Sequence, residues 1–154
     1  MGFGQSVIRL FFGATVLALA ACGGGPSPTT VALTLSATPD ANVIDGQPSP
    51  VLVRVYQLGT PAGFVDADYF LLDKNESDVL GPNLLGKDEY FLNPGASQTV
   101  LLELAPDARV VGVVAAYYDI DNAVWRATAP VEAGEKNEIT ATIGALAVSL
   151  AAGS

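Results

Sequence analysis

The sequence predicts an all-β chain, a two-sheet β-sandwich with a short added helix and helical turns between strands. Three features carry that prediction. Apolar residues alternate with polar ones at period two in several short runs, the pattern of strands with one buried face. Turn-forming residues separate those runs, at Pro39-Asp40, Asp45-Gly46, Asn93-Pro94-Gly95, Pro106-Asp107 and Asp121-Asn122. One run, VVGVVAAYY at residues 110–118, is short, apolar throughout and rich in β-branched residues, as a central strand covered on both faces should be.

The chain does not begin with that domain. Arg9 and the terminal amine give a short positive start, and Leu10 to Ala21 is apolar apart from Thr15. At about a dozen residues this run falls short of the roughly 20 that span a bilayer as a helix, so residues 1–21 read as a cleaved secretory signal peptide. Small residues Ala20 and Ala21 precede Cys22, the only cysteine. One reading of that junction is ordinary signal cleavage beside an incidental thiol. The other is favoured by Leu19: Leu19-Ala20-Ala21-Cys22 resembles the lipobox of bacterial lipoproteins, which makes Cys22 a lipid attachment site and the new N-terminus. Two or three acyl chains, each buried CH₂ contributing about 0.8 kcal/mol, anchor stably without any membrane helix. Gly23 stands where many Gram-negative bacteria would need Asp for inner-membrane retention, so by that analogy the outer membrane is expected. Residues 22–30 form the lipidated Cys and a flexible tether, GGGPSPTT, reaching about 15 Å as a coil.

Residues 31–154 are then one periplasmic domain. From Cys22 onward the chain holds all sixteen acidic residues and six of the seven basic ones, a formal charge of −10. Such a surface repels phosphate backbones and anionic headgroups, which excludes nucleic acid and electrostatic membrane adhesion and fits a basic protein partner. With one cysteine, no disulfide can staple the domain, so packing must hold it.

Taken in order, Val31, Leu33 and Leu35 are expected to face inward from the first strand, and Val51, Val53 and Val55 from the second, with Arg54 and Tyr56 outside. Phe64, Ala67 and Leu71 with Val65, Tyr69 and Leu72 repeat at helical spacing and predict a helix from Phe64 to Asp73. Val79-Leu80 and Leu84-Leu85 read as short apolar turns before Gly86. Val100, Leu102 and Leu104 mark a further strand, residues 110–118 the central one, and Ile139, Ala141 and Ile143 another. Gly144-Ala145 offers a two-residue hairpin turn into a last strand with Leu146, Val148 and Leu150 on one face. Trp125 reads as a core aromatic on a strand, with Arg126 facing solvent.

Catalytic chemistry finds little support. The chain has no histidine, which removes the commonest general base and metal ligand. Lys74, Lys87 and Lys136 sit in charged contexts where nothing would depress their pKa values. Asp119, Asp121 and Asn122 could offer oxygens to calcium, but the Gly and Glu of an EF-hand loop are missing, and a polar hairpin tip is the simpler reading. Asp66 and Asp68 fit the start of the expected helix. No metal, no catalytic residue and no cofactor beyond a covalent lipid on Cys22 is expected.

The order of pieces is more specific than any one of them. After the lipobox come TPDANVIDGQPSPVLVRVYQLGTPAGFVDADYFLL, FLNPG and VVGVVAAYYDIDNAVWR. This resembles the outer-membrane lipoprotein of the type VI secretion system, the VasD/SciN/TssJ family, through Pro39, Asp40, Gly46, Pro48, Val53 to Leu58, Phe64, Ala67, Asp68, Pro94, Gly95, Tyr118, Asp119, Trp125 and Arg126. The resemblance implies a non-catalytic sandwich, lipid-anchored on the periplasmic face of the outer membrane. It also implies a partner, the C-terminal periplasmic region of an IcmF-like inner-membrane secretion protein, gripped by the loop between the first two strands. Here that loop runs from Thr38 to Pro50, with Thr38, Pro39, Asp40, Ala41, Asn42, Val43, Ile44, Asp45, Gly46, Gln47 and Pro48 as the partner-binding set and Ile44 as its apolar member. Thr38 stands where the family often has Asn, and Gln47 where it often has a basic residue. Neither nucleic acid nor a small-molecule substrate is implied. The rival class is a stand-alone lipid-tethered periplasmic ligand-binding or inhibitor domain.

Overall fold

The computed structural model describes residues 1–2 and 24–153. Cys22 and most of the signal segment therefore lie outside the described residues.

The first strand, β1 (Thr30–Ala37), buries Val31, Leu33 and Leu35 completely, as the alternation predicts. It is flanked on both sides, by β6 (Ser97–Glu103) antiparallel and β9 (Lys136–Ile143) parallel, and β10 (Val148–Ala152) pairs with the far side of β9. The second sheet runs β5-β4-β7-β8, all antiparallel, with β4 (Val51–Leu58), β5 (Leu84–Leu92), β7 (Val110–Ala116) and β8 (Arg126–Pro130). A hairpin of two-residue strands, β2 (Val43–Ile44) and β3 (Gln47–Pro48), interrupts the connection from β1 to β4. The inner faces meet in one apolar core, with Val31, Leu33, Leu35, Ile139, Ala141 and Ile143 on one side and Val51, Val53, Val55, Val111, Val113 and Ala115 on the other. The expected two-sheet sandwich is the observed architecture.

A second apolar layer covers the outer face of the β4/β7 sheet, where Phe64, Leu72 and Leu80 from two helices pack on Tyr56, Leu58, Val110 and Val114. This explains why β7 is apolar at every position: both its faces are buried. Gly112 is the contact point, since a Cβ there would lie 2.8 Å from Phe64 Cζ and 3.1 Å from Leu58 Cδ1. Tyr56, expected outside, does point away from the core but is completely buried under the helices, and its hydroxyl donates to Glu76 Oε2 at 3.1 Å.

Four local expectations need correction. The single helix Phe64–Asp73 is two: α1 (Ala62–Asp66) and α2 (Tyr69–Leu80), separated by Ala67 and Asp68 in extended conformation. Asp68 is not a first-turn acid inside a helix; its carboxylate accepts from Phe70 N at 2.9 Å and Leu71 N at 3.2 Å, capping α2 and stopping α1 from continuing. The apolar spacing happened to stay in phase across the break. Val79-Leu80 is therefore the last turn of α2, and Leu84-Leu85 begins β5 rather than forming a turn. Strand β5 was hidden by Lys87, Asp88 and Glu89, charges that suit an edge strand. At the last hairpin Gly144 N donates to Ala147 O at 2.8 Å, so Ala145 and Leu146 form the tip and Leu146 is not a strand residue.

The fourth correction concerns Arg126. Instead of facing solvent, it donates from Nη1 to Phe64 O at 3.0 Å and to Ala67 O, closing the C-terminal carbonyls of α1. Its guanidinium lies 4.4 Å from the Trp125 ring centroid, and Trp125 in turn meets Tyr69 edge-on at 5.1 Å. Desolvation lowers the Arg126 pKa, opposed by Asp66 and Asp68. Trp125 itself is half-buried against both apolar layers, just before β8.

Candidate functional site

Strand directions place the loops in two groups. The chain enters β1 at Thr30 from residues 24–29, and Thr29, buried, anchors that entry: its carbonyl accepts from Leu104 N at 2.9 Å and its Oγ1 from Gly134 N at 2.7 Å. Eight residues later, about 27 Å away at 3.4 Å per residue, β1 delivers the chain to the opposite pole. There the segments 38–50, 93–96, 117–125 and 144–147 gather. Thr38 N donates to Ile143 O at 2.9 Å, Gly95 N to Thr38 O at 3.1 Å, and Tyr117 Oη to Gly144 O at 3.1 Å.

Within the first of these segments the expected partner-binding residues separate into a buried base and an exposed tip. Thr38 Oγ1 donates to Asp40 Oδ1 at 2.6 Å, Ala41 N to Thr38 O at 3.0 Å, and Ser49 N to Ala41 O at 3.2 Å, so the base is closed before the hairpin starts. Ala41 and Asn42 are buried; Val43 and Ile44 are half-buried in β2; Pro39, Asp40, Asp45, Gly46, Gln47 and Pro48 are exposed. Asp45 and Gly46 both have positive φ (51° and 78°), the geometry of the tight hairpin turns that Asp-Gly favours. Asn42, also at positive φ (49°), holds the loop in place. Its Nδ2 donates to Pro50 O at 2.9 Å, and its Oδ1 accepts from Tyr118 N at 2.8 Å, bolting the loop to the 117–125 hairpin. No pattern in the sequence marks Asn42 for that role.

The 117–125 hairpin has a polar tip, as expected: Asn122 Nδ2 donates to both carboxylate oxygens of Asp119, at 2.9 and 3.0 Å. An amide hydrogen thus occupies the oxygens a calcium ion would need. The remaining ionic cluster lies on the helical face, where Arg54 meets Asp73 (2.7 Å) and Glu89 (3.1 Å), and Lys87 meets Glu76 (2.8 Å) and Glu89 (3.4 Å). These pairs seat α2 on β4 and β5. The hydrogen bond that Lys87 donates to Glu76 raises the Lys87 pKa, the opposite of what a nucleophilic lysine requires. Among the described residues, the loop pole is thus held by hydrogen bonds through Asn42 and the helical face by ion pairs.

A family model described as a type VI secretion lipoprotein (VasD, EvfM, TssJ) matches residues 29–146. The chain belongs to this type VI secretion lipoprotein family. It is a family of secretion-system structural lipoproteins and not of enzymes. The T6SS lipoprotein TssJ1 from Pseudomonas aeruginosa is 36% identical, with a TM-score of 0.79 over 82% of this chain and 98% of that one. Serratia marcescens Lip, a membrane-bound component of the type VI secretion system, is 30% identical with a TM-score of 0.73, over 82% and 97% of the two chains. A chain of the structure described as the T6SS protein TssM C-terminal domain from EAEC is 26% identical, with a TM-score of 0.61 over 79% and 98%. No curated protein sequence matches the chain.

Proposed function

We propose that this family member is a lipid-anchored component of the type VI secretion membrane complex that tethers an IcmF-like inner-membrane protein to the outer membrane. Cys22 carries the lipid, residues 22–30 are the tether, whose last two residues, buried Thr29 and Thr30 of β1, the fold takes up, and the domain stands on the periplasmic face. The exposed tip of the 38–50 loop grips the C-terminal periplasmic region of the partner. One observation carries this reading: the tether enters at one pole and the loop projects from the other, at the two ends of β1. A domain so built can hold a lipid and a protein at once without either obstructing the other. The EAEC structure named for the TssM C-terminal domain, which includes a chain of this fold, supports a secretion-system domain of that kind as partner.

The test is to replace Val43 to Pro48 by two glycines, keeping Ala41, Asn42 and Ser49, and to titrate the variant against the partner's periplasmic region by calorimetry. Shortening a loop by half changes its closure entropy by only about 0.6 kcal/mol, so the fold should persist. Losing an apolar anchor such as Ile44 costs about 2 kcal/mol or more of binding, roughly thirtyfold in affinity. Unchanged affinity in a folded variant would sink the loop as the grip and leave a stand-alone periplasmic binder as the better reading.

A further inference from the structure

The loop is only part of the pole that carries it. Four large apolar side chains are exposed at the same end: Phe91 (78%), Tyr118 (69%), Val124 (60%) and Leu146 (37%). Hydrogen bonds through their backbones tie three of them to neighbouring segments. Tyr118 is fixed through its own N–H to Asn42, which also binds Pro50. Val124 N donates to Leu146 O at 2.8 Å and Val124 O accepts from Val148 N at 2.9 Å, so the two remaining tips form one plate. Phe91 sits beside half-buried Leu52, which pairs across to Ala116 on the outer face of the second sheet. Covering such side chains removes apolar surface from water, so a patch of this kind is ordinarily covered.

We infer that the 117–125 and 144–147 tips, through Tyr118, Val124 and Leu146, form a second half of the partner-binding surface, receiving an apolar patch with a basic rim on the same IcmF-like partner. This rests on the loop reading above. Three observations select that occupant. Membrane lipid is at the wrong end, because the tether enters at the opposite pole, about 27 Å away along β1. The four loop segments of this pole contain Asp40, Asp45, Asp119 and Asp121 and no Lys or Arg, so the charge they bring to the apolar plate is negative; Arg126, just beyond them, is engaged with the Phe64 and Ala67 carbonyls. A second copy of a chain with those charges would place like charge against like charge, whereas a basic rim complements them. Continuity does the rest: one side chain, Asn42, ties the loop and the hairpin into a single body, so a partner gripping Ile44 meets Tyr118 in the same approach.

The experiment compares the full-length lipoprotein in detergent with a Tyr118→Ser/Val124→Ser variant and with the Val43 to Pro48 replacement. Each is titrated by interferometry against the detergent-solubilised IcmF-like protein encoded with it. The double variant alters exposed side chains only, so its circular dichroism should match the parent. Its affinity should fall by about thirtyfold or more, Tyr118→Phe should stay within about threefold, and raising NaCl from about 0.05 M to about 0.5 M should weaken the parent complex. If the double variant binds like the parent while the loop replacement does not, this inference is overturned and the loop reading survives. If both bind like the parent, the loop reading fails as well. Sedimentation that shows the parent dimerising and the double variant monomeric would assign the plate to a second copy and also overturn the inference.

Discussion

Asn42→Ala tests the bolt on which the whole pole depends. The substitution removes a donor to Pro50 O (2.9 Å) and an acceptor for Tyr118 N (2.8 Å), leaving both backbone groups without partners at a position only 4% exposed. An unsatisfied buried group costs about 1–3 kcal/mol, and since both bonds are part-buried the lower end applies to each. Alanine must also adopt the positive φ of 49° that asparagine tolerates, which adds about 1 kcal/mol. The expected loss is about 3 kcal/mol for Asn42→Ala and about 2 kcal/mol for Asn42→Gly, which loses the same bonds but not the backbone freedom. Out of a domain stability of about 5–15 kcal/mol this is large. Urea denaturation of the mature chain, followed by tryptophan fluorescence of Trp125, should shift its midpoint by about 1–1.5 M for an m-value near 2 kcal/mol/M. A loss under about 0.5 kcal/mol in the alanine variant would refute the bolt; equal losses in the alanine and glycine variants would refute the strain argument alone.

Gly112→Ala should destabilise by about 1–3 kcal/mol, because its methyl would overlap Phe64 and Leu58 between two packed layers; a thermal midpoint equal to the parent's would contradict the contact. Stability should also decline at alkaline pH. Burial raises the pKa of Tyr56, helped by Glu76, and that of Tyr117, above the ordinary value of 10. Both phenols then ionise more readily in the unfolded chain, so their contribution is complete below pH 10 and drains away as pH climbs above it. Urea titrations at rising pH should show that loss beginning near pH 10, and Tyr56→Phe should soften it. Cys22→Ser should free the protein from outer membranes into the soluble periplasmic fraction without altering its melting curve, and continued sedimentation with membranes would contradict lipid anchoring at that residue.

The sandwich was legible because its core strands each bury one face, and Val31, Leu33, Leu35 or Ile139, Ala141, Ile143 cannot alternate for any other reason. What escaped were elements whose pattern is set by a neighbour. Strand β5 carries Lys87 and Glu89 because α2 offers Glu76 and Arg54 lies between, a logic visible only in three dimensions. Arg126 resembled a solvated charge because nothing nearby in sequence needs it; the carbonyls it satisfies belong to α1, some sixty residues earlier. The 38–50 loop was found by resemblance, not by pattern, and its internal division was hidden. Asn42 lies among polar loop residues like any other until its two backbone partners, 8 and 76 positions away, come into view.

Strand β1 also decides how the domain would behave under load. On the proposed reading the lipid pulls at Thr30 and the partner loop begins just beyond Ala37, so β1 is the shortest backbone path for tension across the domain. A β-strand is nearly fully extended already, and eight residues of it leave almost no slack to pay out. Ladders with β6 and β9 lie along both sides and would have to shear together before the strand could slip. Strands β6 and β9 then brace a taut cord, and the passage across the domain is stiff because its backbone is continuous and straight.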